Sequence, residues 1–308
     1  MKLVITIPAY NEEKTIGKVI DEIPKKIIGI TNIKVLVIDD GSTDSTAKIA
    51  KAKGAKVIKN TGNKGLAQTF ARGLNEAISM KADIIVNTDA DFQYNQKQIP
   101  LLVAPVIRGD ADIVLGSRFK GKIEEMPPQK YYGNKIATLV LAYVTGYNIS
   151  DGQTGFRCFS RRAALKMNIW SNYTYTHETL LHASENKLLV SEVPIDFRKR
   201  ADESRLISNI WGYALKSAKT LFNYYLYYRP LQLFGFFGTI IILVGLLLCS
   251  KVLLHFFSTG QVSPFFPTAI LTSSMVVFGL LLVIMGLISE TFKHQRRVTE
   301  KIFEELRK

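Results

Sequence analysis

The sequence predicts an α/β protein with a mostly parallel sheet, followed by a hairpin of two apolar helices. Short apolar runs alternate with helix-length segments through the first two thirds of the 308 residues, a pattern typical of a parallel sheet covered by helices. Polar residues follow four of the runs directly, and two long uncharged segments occupy the C-terminal third. These three observations indicate one large α/β domain and a separate apolar appendage.

The predicted strands are short, and each one ends at a polar turn. They cover residues 3–7, 35–38, 56–58, 84–88 and 113–115. The segment after the first strand predicts a helix with its apolar residues on one side and Asn11 as a candidate cap. Ser42 or Thr43 is expected to begin the next helix, and residues 65–78 predict a third.

Residues 233–250 and 264–289 are uncharged, and each run is long enough to cross a membrane, which takes about 20 apolar residues. Two buried core helices are the alternative, which the length and adjacency of the runs disfavour. The linker 258–263 has no Lys or Arg, whereas Arg229 precedes the pair and Arg296 follows it. Basic residues favour the cytoplasmic side, so the N- and C-termini are both expected in the cytoplasm.

The formal net charge of +14 first suggests a nucleic-acid partner. Many basic residues, however, fall between Arg198 and Arg229, where they would attract anionic lipid headgroups beside the predicted membrane helices. Aromatic and apolar residues mixed with these charges predict amphipathic interfacial helices. We therefore divide the chain into an α/β domain, interfacial helices, two transmembrane helices and a cytosolic tail helix, over residues 1–202, 203–230, 231–257, 264–289 and 290–308.

Several other kinds of site are excluded by motifs that the chain lacks or spaces wrongly. There is no G-x-G-x-x-G after the first strand and no Walker A sequence, which excludes the dinucleotide and P-loop interpretations. Cys158 and Cys249 are too few for a disulfide framework or a cysteine zinc site. His177 and His182 lie five residues apart, which separates them by about 140° around a helix and disfavours a shared zinc ion.

Residues that could line a nucleotide, metal and phosphate site follow four of the predicted strands. They are Pro8, Tyr10 and Glu12; Asp39 and Asp40; Asp89, Asp91 and Gln93; and Arg118. Ligands of such sheets bind beyond the carboxyl ends of the strands, so these residues should share one rim. Asp89 and Asp91 offer hard oxygen ligands for Mg²⁺ or Mn²⁺.

Two of these positions have a plainer alternative. Asp39 or Asp40 can accept hydrogen bonds from a ribose or a base, but Asp40 also suits an ordinary turn. Arg118 can hold a phosphate by its planar fork, but a surface ion pair would use the same group.

Four segments of the rim resemble the inverting family 2 glycosyltransferases of GT-A fold, whose sheet is Rossmann-like. The segments are PAYNE at 8–12, VIDDGS at 37–42, DADFQ at 89–93 and GSR at 116–118. The resemblance narrows to the polyprenol-phosphate, or dolichol-phosphate, sugar synthases through the hairpin, Pro194, DGQTGFR at 151–157 and ESRL at 203–206. It covers the chain to about residue 210, and Asp202 departs from it because the family usually has Gly there.

The resemblance implies a role for each residue of the rim. The base and ribose pocket would be formed by Pro8, Tyr10, Glu12, Asp39 and Asp40. Mg²⁺ or Mn²⁺ and the donor diphosphate would be held by Asp89, Asp91 and Gln93. Arg118 would face the donor or acceptor phosphate, and the lipid phosphate would be gripped by Arg118, Arg200 and Arg205. The expected catalytic residues are therefore Asp89, Asp91 and Arg118.

The implied reaction transfers a hexose or N-acetylhexosamine from a UDP- or GDP-linked sugar to a polyprenyl or dolichyl phosphate, with inversion to a β-linked product. A phosphate monoester is largely a dianion at pH 7, so the attack needs no strong general base. Membrane lipids are the further partners, a nucleic acid is not expected, and self-association stays open. The expected location is a prokaryotic plasma membrane.

Two alternatives remain open. A family 2 glycosyltransferase that acts on a glycolipid or sugar hydroxyl would need a general base, for which Glu178 is the candidate. The alternative from another class is a non-catalytic membrane scaffold that binds a lipid carrier.

Overall fold

The computed structural model describes residues 1–169, 175–199, 222, 225–226 and 229–307. Two compact units divide the chain, one of Met1–Ala214 with Phe303–Lys308 and one of Leu215–Ile302. The described strands are β1 Lys2–Ala9, β2 Asn32–Asp39, β3 Lys56–Lys59, β4 Ile84–Asn87, β5 Ile113–Ser117, β6 Arg157–Ser160 and β7 Val190–Pro194. The described helices are α1 Ile16–Glu22, α2 Thr46–Ala52, α3 Leu66–Ser79, α4 Ile99–Arg108, α5 Pro128–Thr145, α6 Arg161–Leu165, α7 Tyr175–Glu185, α8 Pro230–Thr259 and α9 Phe266–Arg307.

The seven strands form one sheet in the order β3-β2-β1-β4-β6-β5-β7. All neighbouring pairs are parallel except those of β6, which runs antiparallel to both β4 and β5. This confirms the prediction of a mostly parallel sheet. The carboxyl ends of β1, β2, β4 and β5 consequently lie at one edge, and the reversed β6 brings the segment before it, residues 151–156, to the same edge.

The sheet is buried on both faces because its central strands are apolar at nearly every position. On one face Leu3, Ile5 and Ile7 join a core to which α1 and α4 contribute. On the other face α3 packs closely through Gly73. A Cβ at this position would lie only 3.5 Å from Thr6 Cβ. Helices on both faces leave the edges of the sheet as the places where polar side chains can gather.

The predicted cap at Asn11 and the predicted helix start at Ser42 or Thr43 are both wrong, because these residues belong to loops. Helix α1 begins at Ile16, and Asn11 has a φ of +54° with its Oδ1 accepting a 2.9 Å hydrogen bond from Thr43 N. Helix α2 begins at Thr46, whose N–H donates to Asp44 Oδ1 at 2.9 Å. Ser42 Oγ accepts a 3.0 Å hydrogen bond from Asn11 N. These contacts tie together the loops that follow β1 and β2.

The second unit contains two helices that are long and apolar enough to cross a membrane, Pro230–Thr259 and Phe266–Phe292, each with a mean hydropathy of 2.5. Only 11% and 17% of their most apolar windows are buried, which is unlike the core helices of a soluble protein. The helices pack through glycine, because a Cβ on Gly238 or on Gly279 would lie 2.7 Å from the other residue's carbonyl oxygen. Such close backbone contact is typical of helix pairs in membranes.

Two of the predicted segments, 290–308 and 203–230, can be compared with the described residues. Helix α9 continues without a break to Arg307, so the described part of the predicted tail 290–308 prolongs the second apolar helix. The predicted interfacial helices, 203–230, lie almost wholly outside the described residues.

Candidate functional site

The residues that follow β1 and β2 form the first side of the rim. Ala9 pairs with Asp39 across the two strands, and Pro8, one residue earlier, is buried. Tyr10 is 38% exposed at the opening of the loop. Glu12 is half-buried; its N–H donates to Thr46 Oγ1 at 2.8 Å, which fixes the loop against the start of α2. The structure therefore brings this predicted group next to Asp39.

Asp39 is fully buried, and one of its two carboxylate oxygens accepts no hydrogen bond within the described residues. Its Oδ1 accepts a 2.9 Å hydrogen bond from Ser42 N, and Lys59 Nζ lies 3.6 Å from Oδ2. Oδ2 has no hydrogen-bond partner among the described residues. A buried acceptor without a donor is costly, so it marks a place where a donor from a bound molecule would be favourable.

Asp40 is also buried, but both of its oxygens are used within the protein. Oδ1 accepts hydrogen bonds from Asn60 Nδ2 at 2.7 Å and Lys64 N at 2.9 Å, and Oδ2 accepts one from Gly65 N at 2.9 Å. These bonds hold the loop before α3. Because both oxygens of Asp40 already accept hydrogen bonds, Asp39 is the better candidate for the ribose or base contact, and a role for Asp40 stays a prediction.

Asp89 and Asp91 follow β4 and are half-buried at the rim. The chain turns sharply between Asp91 and Gln93, because Phe92 has a left-handed φ of +63°. Gln93 N donates to Asp91 Oδ1 at 3.1 Å, and Gln93 Nε2 donates to Arg198 O at 3.3 Å. The amide nitrogen of Gln93 is thereby engaged, which leaves its oxygen as the atom suited to a cation.

The carboxylate of Asp89 contacts Gly155, and any other residue at position 155 would place a Cβ in the space that the carboxylate occupies. A Cβ on Gly155 would lie 2.8 and 2.9 Å from the two Asp89 oxygens and 2.8 Å from the Tyr175 hydroxyl. Gly155 N donates to Tyr94 Oη at 2.9 Å, and Asn87 Nδ2 donates to Gly155 O at 2.9 Å and to Tyr175 Oη at 3.1 Å. Gly155 and its neighbours therefore set the position of Asp89.

Sequence reasoning missed Gly155, Tyr175, Tyr94 and Asn87 as parts of the site. The segment 151–157 carries a recognisable motif, but its contact with Asp89 depends on the antiparallel β6. Burial raises the pKa of Tyr175 well above its ordinary value, and the nearby charge of Asp89 raises it further. The Tyr175 hydroxyl thus keeps its proton beside the carboxylate.

Arg118 is buried and faces a carboxylate of its own chain. Its Nε donates to Asp151 Oδ2 at 2.7 Å, and its Nη2 donates to Asp151 Oδ1 at 2.8 Å. Burial lowers the pKa of Arg118, but the charge of Asp151, its hydrogen bonds to the guanidinium and the nearby charge of Asp89 together raise the pKa above its ordinary value, so the guanidinium stays charged. The pair with Asp151 is buried, so the alternative of a surface ion pair is wrong, and the phosphate-binding role of Arg118 stays a prediction. Through this pair Arg118 anchors the start of the segment 151–157.

Arg157 anchors the other end of the same segment. It is fully buried and donates to Thr154 O, Thr176 O and Gly152 O, each at 2.8 Å, and to Thr179 Oγ1. Burial lowers its pKa to about 10, so it remains protonated at neutral pH. Because Arg157 donates both to carbonyls of the segment and to Thr176 O, it connects the segment to α7.

Helix α7 places His177 and Glu178 near this segment. His177 Nε2 forms a hydrogen bond with Gln153 Nε2, and His177 Nδ1 is buried without a partner among the described residues. Burial lowers the pKa of His177 to about 4, so the ring is neutral at physiological pH. Glu178 is half-buried on the same helix, and its role as an alternative base stays a prediction.

The donor set of the rim fits a hard divalent cation. Asp89, Asp91 and the Gln93 amide offer oxygen atoms, which Mg²⁺ and Mn²⁺ prefer. Within the described part of the chain, no three His, Cys, Asp or Glu side chains gather into a closed metal site. A cation held here would therefore complete its coordination with oxygens of a bound phosphate and with water. The predicted phosphate ligands Arg200 and Arg205 lie outside the described residues.

Comparison with known proteins places this geometry in a family. Residues 4–167 match the family model described as glycosyl transferase family 2. The UDP-N-acetylglucosamine–dolichyl-phosphate N-acetylglucosaminyltransferase of Methanococcus voltae is 33% identical over 62% of this chain and 83% of its own length. The dolichol-phosphate mannosyltransferase of Pyrococcus furiosus is 30% identical over 73% of this chain and 62% of its own.

A solved structure supports the fold. Glucosyl-3-phosphoglycerate synthase from Mycobacterium tuberculosis, crystallised with Mn²⁺, uridine diphosphate and glucosyl-3-phosphoglycerate, superposes with a TM-score of 0.56. The match covers 72% of this chain and 79% of that one at 23% identity. With Asp89 and Asp91 at the sheet edge and a family match over residues 4–167, the chain belongs to glycosyl transferase family 2 and is a glycosyltransferase of GT-A fold.

Proposed function

We propose that this enzyme transfers a hexose or N-acetylhexosamine from a nucleotide-diphosphate sugar to a polyprenyl or dolichyl phosphate, with inversion, at the cytosolic face of a membrane. One observation carries the proposal: a metal-suited carboxylate pair and a spare buried acceptor share one sheet edge in a chain with two helices able to span a membrane. The two relatives act on dolichyl phosphate by name and use different sugars. The proposal therefore names a class of donor, with UDP or GDP as the nucleotide.

On the donor side, Asp39 would accept a hydrogen bond from the base or ribose through its spare Oδ2. Ala9 pairs with Asp39, and its sequence neighbours Pro8, Tyr10 and Glu12 would line the same pocket. Asp91 and Gln93, with Asp89, would hold Mg²⁺ or Mn²⁺ against the diphosphate. When bound, the cation neutralises the charge that develops on the leaving nucleoside diphosphate.

On the acceptor side, an oxygen of the lipid phosphate would form the new bond to the anomeric carbon while the bond to the donor diphosphate breaks. The phosphate is already largely a dianion at pH 7, so the protein supplies position and charge stabilisation rather than a base. Arg200 and Arg205 would grip this phosphate. The main chain of Arg198, two residues earlier in the sequence than Arg200, is hydrogen-bonded to Gln93: Arg198 N donates to Gln93 O, and Gln93 Nε2 donates to Arg198 O.

The proposed location follows from the two apolar helices and the basic residues outside them. Both termini would face the cytoplasm of a prokaryotic plasma membrane, and the lipid phosphate would reach the site from that membrane. The segment 203–230, whose sequence is basic and aromatic, would contribute to binding the headgroup layer.

The test measures sugar transfer by the full-length protein, reconstituted with a polyprenyl phosphate and a panel of labelled nucleotide sugars. Asp91→Asn should lower metal-dependent transfer on the order of 10³-fold, because the cation loses a charged ligand at the developing charge. Asp110→Asn is the matched control, since Asp110 is exposed and pairs with Arg108. Undiminished transfer by Asp91→Asn, or label found only on a lipid without phosphate, would contradict the proposal.

A further inference from the structure

Helix α5 has an apolar stripe on its outward face. Tyr132, Ile136, Leu139 and Tyr143 are 65%, 59%, 70% and 83% exposed. Their spacing of four, three and four residues places them in one row along the helix. A surface helix of a water-soluble protein normally shows polar residues on this side, so the stripe needs an explanation.

The stripe is not the core-facing side of α5. The opposite side is already buried within the catalytic unit through Asn134, Ala137, Thr138, Leu141, Val144 and Thr145. Thr138 Oγ1 accepts a 3.0 Å hydrogen bond from Gly152 N, and a Cβ on Gly152 would lie 2.8 Å from Leu141 Cδ2. The helix therefore has one partner inside the unit and a second apolar face that points away from it.

We propose that the α5 stripe docks into the headgroup layer of the membrane, a statement that rests on the membrane location proposed above. Pro128–Thr145 contains Lys130 and Lys135 and no acidic residue, so its charge suits anionic headgroups. Lys135 Nζ lies 4.8 Å from the centre of the Tyr131 ring, which keeps the cation beside the apolar face. Tyrosines at both ends of an aliphatic row are typical of a membrane–water interface.

A second copy of the chain fits this stripe less well than a lipid surface does. A stable protein interface takes about 800 Å² and 20–30 residues on each side, and the row has four side chains. Two copies of α5 would also bring lysines together without an acidic partner from the helix itself.

Docking of α5 would determine which part of the site faces the membrane. The inner side of α5 holds Gly152, and the segment that begins there carries Gly155 against Asp89. A docked α5 thus places the segment 151–157 between the bilayer and the carboxylates. This is the side from which a lipid phosphate would enter.

The test uses the full-length chain in vesicles of phosphatidylcholine and anionic phosphatidylglycerol. Cys249→Ser removes the hairpin thiol, whereas Cys158 is fully buried and can stay. A cysteine is then introduced by Leu139→Cys, or by Ile28→Cys as the matched control, and labelled with an environment-sensitive fluorophore. Ile28 is 97% exposed just before β2, at the opposite edge of the sheet from the rim.

We expect spin-labelled lipids to quench the label at position 139 several-fold more than the label at position 28. Equal quenching at the two positions would overturn the inference, as would cross-linking of position 139 between copies without lipid quenching. The readout does not require sugar transfer. Quenching at position 139 in an inactive chain would support α5 docking and contradict the proposed reaction. Sugar transfer without quenching would support the proposed reaction and contradict α5 docking.

Discussion

The sheet unit and the hairpin place their apolar side chains in opposite ways. Leu3 and Ile5 in β1 are fully buried, whereas Leu247 and Leu254 of α8 are 73% and 71% exposed. The sheet unit removes apolar surface from water, which drives its folding. The hairpin keeps its apolar surface outside and satisfies its backbone within each helix, as a hydrocarbon environment requires. One chain is therefore built for two solvents.

Glycine shows the same contrast on a smaller scale. Gly155 leaves room for a carboxylate that must be placed accurately, whereas Gly238 leaves room for the backbone of a neighbouring helix. A methyl group at either position meets atoms closer than 3.0 Å, but the consequences should differ. In the sheet unit the loss should fall on catalysis, and in the hairpin it should fall on stability.

Among the variants that compare the sheet unit with the hairpin, the largest effect is expected from Gly155→Ala. The added methyl group would displace the Asp89 carboxylate, and a misplacement of about 1 Å can cost on the order of 100-fold in rate. Steady-state transfer at increasing Mn²⁺ concentration measures the loss. Gly62→Ala is the matched control, because a Cβ there meets no atom within 4 Å. A wild-type rate for Gly155→Ala would remove the assigned contact from the mechanism.

Gly238→Ala should lower the free energy of unfolding of the hairpin in detergent by about 1–3 kcal/mol, because overpacking forces the helices apart. Gly235→Ala, one turn earlier on α8, meets nothing within 4 Å. It should be neutral or stabilising by up to about 1 kcal/mol, since Ala is the better helix former. Denaturation midpoints of the two variants give the comparison, and equal destabilisation would contradict glycine packing as its cause.

The smallest effect concerns pH and should be confined to the sheet unit. Burial lowers the pKa of His177 from 6.5 to about 4, so the folded protein binds fewer protons there than the unfolded chain does. Protonation of His177 is less favourable in the folded protein than in the unfolded chain. The contribution of His177 to the free energy of unfolding is therefore highest above pH 6.5 and decreases as the pH falls towards 4. Between pH 6.5 and 5.5 the loss should be roughly 1 kcal/mol. His177→Gln should flatten the stability curve over that interval, and an unchanged slope would assign the acid sensitivity to other groups.

Much of the fold, and the gathering of several candidate residues at one sheet edge, could be predicted before the structure. Alternation of apolar runs indicated the parallel strands, and position at strand ends was enough to gather Asp39, Asp89 and Asp91 at one rim. The protein partners of Asp40 and Arg118 could not be predicted, because the sequence pattern around a carboxylate or a guanidinium is the same whether its partner is a ligand or the protein. Asn60 and Asp151, which take up those groups, are distant in sequence or belong to another motif.

The sequence by itself determined the period and the length of the apolar segments. These two properties also indicated which part of the chain folds in water and which part suits a membrane. Local chemistry at the strand ends also sufficed to indicate a cation and phosphate site. The tertiary structure alone decided that β6 runs antiparallel, and so brought Gly155 against Asp89 and the start of its segment against α5. Strand neighbours and long-range contacts depend on how whole layers pack, a property that no local pattern of residues carries.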